Sequence, residues 1–165
     1  MSAVVETPEA FAALLPPDRP LMGLDLGTKT IGVAVSDARR LRATPLETLT
    51  RKKFGADAAA LGPLAEARAV CGVVLGLPRN MDGTEGPRAQ ATRAFARNLT
   101  RALGLPALLW DERLSTAAVE RGMIAADLSR KRRAERVDRA AAAYILEGAL
   151  DRLARLSAER ASKPE

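Results

Sequence analysis

From position 21 onward the chain alternates between apolar runs and polar breaks, and the spacing within each run decides which element it predicts. Leu21 to Leu26 and Ile31 to Ser36 are apolar and partly β-branched. Gly27-Thr28-Lys29-Thr30 joins them, so the pattern is two strands and a tight turn. Leu41 to Thr50 reads as a third strand. The period then changes. Asp57 to Ala69 carries alanine and leucine at helical spacing, and Val70 to Pro78, VCGVVLGLP, is a continuous apolar run of the kind a strand buried on both faces shows. A second helix is expected from Pro87 to Leu103, with proline in its first turn and Gly104 to stop it. Pro106 to Trp110 reads as another buried strand, and Ser115 as the cap of a helix reaching Ala126. A polar stretch from Asp127 to Glu135 leads into a last helix, Arg136 to about Leu156.

At the front, Thr7-Pro8-Glu9 starts a helix that Pro16, Pro17 and Pro20 end within two turns. Residues 1–20 are therefore expected to be an N-terminal extension, 21–156 the folded domain, and 157–165 a disordered tail. A hairpin cannot supply parallel neighbours. Three strands followed by helix–strand units thus predict an α/β domain with a mixed five-stranded sheet, three antiparallel strands and then two parallel ones, flanked by helices. That is the element order of ribonuclease H-like folds.

Composition narrows the chemistry. The 165 residues, 47% hydrophobic and 28% charged, suffice for one ordinary core. A formal charge of +6 favours a polyanionic partner. Histidine is absent, which excludes Ser-His-Asp triads, Cys-His pairs and His-ligated zinc, so hydrolytic chemistry would fall to carboxylates. The single cysteine, Cys71, lies in an apolar run as a core residue and fits a reducing compartment. The apolar runs fall short of the ~20 residues of a membrane span. Residues 1–20 carry Glu6, Glu9 and Asp18 instead of a basic leader, and a cytoplasmic protein with no membrane association is expected.

Three places set acids beside apolar surface. Asp25, between Leu24 and Leu26, shares its strand face with Leu21, Gly23 and Gly27. At the end of the last strand, Glu112 shares the face of Leu108 and Trp110 while Asp111 points the other way. In the final helix Asp138 shares a face with Ala141, Ala142, Ile145 and Ala149, small residues that permit close approach to a sheet. Carboxylates that converge repel one another unless a cation sits between them. Magnesium or manganese, which takes oxygen ligands, fits.

Four blocks in order make a more specific signal: GLDLGTKTIGVAVSD, VVLGLPRNMDGTEG, DERLSTAAVE and RVDRAAAAYILEGALD. Through them the chain resembles the YqgF family, also called RuvX, over nearly all of residues 21–153. The resemblance implies a ribonuclease H-like nuclease, metal-dependent phosphodiesterase activity assisted by two Mg²⁺ or Mn²⁺ ions, and trimming of the 5′ end of the 16S ribosomal RNA precursor. By motif, it implies a catalytic set of Asp25, the pair Asp111-Glu112, and Asp138. Strand parity favours Glu112 over Asp111 as the metal-facing member beside Asp25 and Asp138.

Phosphate contacts are expected from Arg130, Lys131, Arg132, Arg133 and Arg136 in the basic run RKRRAERVDR, from Lys29 in the turn after Asp25, from Arg79 and Asn80 in the loop after the fourth strand, and from Arg113. With only 3% aromatic residues, binding should follow backbone and shape more than base identity. The expected partners are a structured RNA precursor or branched DNA, with ribosomal particles in addition. Three other readings remain open: a Holliday-junction or branched-DNA resolvase, a non-catalytic RNA- or ribosome-binding module, and an ATPase. The last arises because DLGTKTIGVAV also resembles the phosphate-binding hairpin of actin, sugar kinases and heat-shock ATPases. Those enzymes bind nucleotide between two such domains, and this chain has room for one.

Overall fold

In the computed structural model, which describes residues 3–111 and 130–162 (130–139 and 162 as backbone only), the described residues form ten elements. They are β1 (Val4–Val5), α1 (Pro8–Ala12), β2 (Leu21–Leu26), β3 (Thr30–Ser36), β4 (Ala43–Thr50), α2 (Phe54–Ala67), β5 (Gly72–Leu77), α3 (Pro87–Leu103), β6 (Ala107–Asp111) and α4 (Arg130–Ser162). The expected helix from Ser115 to Ala126 lies outside the described residues.

The strands form one sheet in the order β1-β6-β5-β2-β3-β4. β2, β3 and β4 pair antiparallel, whereas β5 joins β2 and β6 joins β5 in parallel, as the order of elements required. The sheet has six strands, not the expected five. The sixth is β1, which pairs parallel with β6 through Val4↔Ala107 and Val5↔Leu108. Two residues are too few for a period of two to register in the sequence, yet the open edge of β6 supplies a ladder for them. The extension is held further by α1, whose Thr7 side chain accepts the Ala10 N–H at 3.2 Å and whose Phe11 is fully buried. Residues 3–20 thus pack onto the domain.

Alternation along the strands divides the core. Met22, Leu24, Leu26, Ile31, Val33, Val73, Leu75, Leu77 and Leu109 face α2 and α3. Leu21, Ala34, Val74 and Leu108 face α1 and α4, where Ala142, Ile145, Leu146 and Ala149 cover them. α2 begins three residues before the expected Asp57, because the Asp57 carboxylate, buried in the first turn, accepts the backbone N–H of Lys52 at 2.9 Å. α3 has the expected bounds and ends on Gly104, whose positive φ of 67° needs a glycine and whose N–H reaches the Thr100 carbonyl at 2.9 Å. α4 starts at Arg130, ahead of Arg136, and continues through residues 157–162, which were expected to be disordered. Nothing in RLARLSAERAS interrupts a helix, and alanine, leucine, arginine and glutamate all favour one.

Candidate active site

Asp25 is the fifth of six residues in the central strand β2, half-buried among neighbours that are fully buried. Because Leu24 and Leu26 turn toward α2 and α3, Asp25 lies on the opposite face with Leu21 and Gly23, the face that α4 covers. Its partner across the antiparallel pair is Gly32. On the parallel side, one step past the last registered pair Leu24↔Leu75, stands Gly76. Neither flanking residue contributes a side chain, so the carboxylate sits in a trough at the carboxyl end of the strand.

Gly23 determines how close α4 comes. A Cβ placed there would lie 2.8 Å from the Ala142 carbonyl oxygen and 2.8 Å from the Leu146 Cβ. The far end of α4 marks its direction, since Leu153, Leu156 and Ser157 lie with Leu15, Pro17 and Arg40 near the start of β2. Followed backward from Ala142, the helix therefore climbs toward the carboxyl end of the strand. Asp138 is four residues before Ala142, about 6 Å of helical rise, and Asp25 is two residues beyond Gly23, about 6.6 Å of strand. The backbone of Asp138 is thus carried to the same edge as Asp25; its side chain lies outside the described residues.

The acidic pair at the end of β6 divides. Asp111, opposite Leu77, continues the side of Leu75 and Leu109, the α2/α3 face, away from Asp25. Trp110 lies on the α4 face, where the indole fills the space left by Gly148; a Cβ on that glycine would stand 2.9 Å from the ring. Glu112, expected to share the side of Trp110, lies outside the described residues. Among the described residues no three Asp, Glu or Cys side chains converge to hold a metal ion.

Lys29 is exposed at the hairpin tip, and its carbonyl accepts the Arg51 N–H at 2.8 Å. Arg79 sits in a four-residue ion network: it is 3.6 Å from Glu6 and 3.8 Å from Glu85. Arg93 contacts the same two carboxylates at 2.8 and 2.7 Å and grips Glu85 with two parallel hydrogen bonds. The hydrogen bonds from Arg93 hold both Glu6 and Glu85 below the usual carboxylate range and raise the guanidinium's own pKa. This network joins the β1–α1 connection to α3, so the Arg79 charge is already engaged by protein. Asn80 shapes its loop, its backbone N–H donating to the Thr84 carbonyl at 2.8 Å and its side-chain amide to the Thr84 hydroxyl at 3.0 Å.

Of the expected basic contacts, Arg113 lies outside the described residues. Arg130, Lys131, Arg132, Arg133 and Arg136 occupy the first two turns of α4, described as backbone, on the side of Asp138 away from Ala142. Sequence pattern alone does not single out Arg51, Lys52, Lys53 and Arg88, which lie beneath the hairpin. Arg51 donates to the Gly27 carbonyl at 2.7 Å and Arg88 to the Leu26 carbonyl at 3.1 Å. The run Arg51-Lys52-Lys53, immediately after the third strand, is a signal for the first three alone; Arg88 stands outside any basic run.

A family model for RuvX, described as a Holliday junction resolvase, matches residues 19–152. The chain belongs to the RuvX family. Among its relatives, a Ruegeria pomeroyi protein named "Putative pre-16S rRNA nuclease" is 63% identical over 153 residues, spanning 93% of this chain and 99% of the relative. A Rhodospirillum rubrum protein of the same name is 63% identical over 154 residues, spanning 93% and 96%. Among solved structures, Thermus thermophilus RuvC superposes with a TM-score of 0.50 at 15% identity, covering 82% of this chain and 97% of RuvC. At that identity the likeness bears on the fold, which is ribonuclease H-like.

Proposed function

We propose that this RuvX-family chain is a metal-dependent endonuclease that hydrolyses phosphodiester bonds of the 16S ribosomal RNA precursor, trimming its 5′ end. The observation that carries the reading is the position of Asp25, at the carboxyl end of the central strand between two glycines, under a helix whose close seat on Gly23 brings the backbone of Asp138 to the same edge. The names of the curated relatives supply the RNA substrate. The family description favours a second reading, a branched DNA junction.

Asp25, Glu112 and Asp138 would hold two Mg²⁺ or Mn²⁺ ions. An oxygen-only donor set in a chain without histidine suits hard cations, and the residues flanking Asp25 in the sheet, Gly32 and Gly76, add no side chain beside it. Bound there, such ions supply a water that is deprotonated at neutral pH and positive charge for the leaving oxygen. The remaining work belongs to the chain. Lys29 at the hairpin tip and the basic first turns of α4 hold flanking phosphates and orient the scissile bond, and the lack of an aromatic platform leaves base identity largely unread. A precursor of ribosomal RNA, met on ribosomal particles, places the protein in the cytoplasm. None of the described helices is long and apolar enough to cross a membrane.

The test is cleavage of a hairpin RNA with a 5′ extension and of a four-way DNA junction, in Mg²⁺, Mn²⁺ or chelator, by the wild type and by Asp25→Asn. The wild type should cut the RNA at mapped positions only with metal, and Asp25→Asn should fold but not cut. Preference for the junction would favour the second reading. Equal cutting by both proteins would remove the assignment.

A further inference from the structure

Beneath the end of β2, on the face opposite α4, a groove of about 550 Å³ opens between the hairpin tip and the first turns of α2 and α3. Thr28, Arg51, Lys52, Lys53 and Arg88 line it, and none of its described lining residues is acidic. Asp57, in the first turn of α2, is buried and turned to the Lys52 backbone N–H.

Two of the four cations, Arg51 and Arg88, are held against the hairpin. Arg51 spends one N–H on the Gly27 carbonyl and lies 5.7 Å from the centre of the Phe95 ring; Arg88 spends one on the Leu26 carbonyl. Both guanidiniums are thereby fixed against the hairpin, with further donors left over and no carboxylate partner among the described residues. Lys52 and Lys53 are exposed at the rim. Neither α2 nor α3 has a side-chain cap, at Lys53 and Gly86 respectively, so both helices also turn uncapped backbone N–H groups and the positive ends of their dipoles toward this region. Four like charges around one hollow repel one another, and an anion that spans them relieves that repulsion.

We infer that this groove is a second phosphate-binding site, which takes the backbone of the nucleic-acid substrate on the far side of the hairpin from Asp25. The inference rests on the nuclease reading for the identity of the anion. The hairpin tip links the two places: Leu26 and Gly27, the residues after Asp25, form part of the groove wall, and exposed Lys29 stands at the turn between them. A strand leaving the cleavage site passes Lys29 and meets Arg88 and the Arg51–Lys53 run. The groove has room for more than one phosphate.

The experiment measures binding of a fluorescent hairpin RNA with a single-stranded 5′ extension, in chelator, across a salt series. It compares the wild type, Lys52→Ala/Lys53→Ala, and the reversal Lys52→Glu/Lys53→Glu. Both lysines are exposed, and thermal unfolding checks that the variants fold. The double alanine variant should bind about tenfold more weakly at 0.1 M salt, and its slope of log K against log salt should be shallower by about 1.4, the value when two phosphates of a single strand are no longer neutralised. The reversal should bind more weakly still. Wild-type affinity and slope in both variants would overturn the inference. Failure of the nuclease reading registers elsewhere, as cutting by Asp25→Asn.

Discussion

Replacing Gly23 by alanine tests the seat of α4 on the sheet. The new methyl would lie 2.8 Å from the Ala142 carbonyl oxygen and 2.8 Å from the Leu146 Cβ, each about 0.6 Å inside the 3.4 Å at which ordinary contacts begin. Neither atom is the end of a flexible side chain, so relief requires α4 to shift as a body. Overpacking of this kind costs about 1–3 kcal/mol, a fall in Tm of roughly 3–10 °C for a chain of this size. A domain stable by ~5–15 kcal/mol remains folded at 25 °C after that loss. Activity at 25 °C therefore reports geometry. A helix lifted from Gly23 moves the Asp138 backbone away from Asp25, and an error of 1 Å can cost about 100-fold in rate. Thermal unfolding and single-turnover cleavage of the precursor hairpin by Gly23→Ala should show both effects together. An unchanged Tm would refute the packing argument. A lowered Tm with wild-type turnover would show that the seat of α4 does not set the catalytic geometry.

Gly148→Ala presses a methyl to within 2.9 Å of the Trp110 indole, and it should lower Tm while shifting the fluorescence of the chain's single tryptophan; an unaltered emission maximum would contradict that packing. Arg93 depresses the pKa of Glu6 and Glu85 from the ordinary 4.5, so its contribution to stability is present above that pH and lost as pH falls through the lower folded values. Urea unfolding should accordingly find Arg93→Gln less stable than wild type at pH 7, with the gap closing below pH 4.5. A gap that does not narrow at all as pH falls below 4.5 would count against the ion network. Changing Arg130, Lys131, Arg132 and Arg133 together to glutamine should weaken RNA binding and flatten its salt dependence by about 3 in slope, read by fluorescence anisotropy. A wild-type slope would show that the run is simply solvated.

The parts of this fold that could be read from sequence were those with a strong period. The continuous run at 70–78 became β5, and the bounds of α3 were legible because a first-turn proline and a terminal glycine mark both ends. β1 was not legible, since two valines carry no pattern and only the edge of β6 gives them a partner. Parity predicted the face of Asp25 and the opposing face of Asp111 because β2 and β6 are regular through those positions. It could not reveal that Arg79 is drawn between Glu6 and Glu85, since Glu6 is more than seventy residues away in sequence and comes close only through β1. Arg88 was missed for the same reason, since its role depends on a carbonyl of a distant hairpin, whereas Arg51 stands in a visible basic run.

The proposed hydrolysis depends most on a divalent cation held at Asp25. Calorimetric titration of Mn²⁺ into the wild type, Asp25→Asn and Asp138→Asn, each shown to be folded, measures this without reference to any substrate. Saturable binding by the wild type that is lost or weakened at least tenfold in both variants is the predicted result. Equal Mn²⁺ affinity in all three proteins would contradict it.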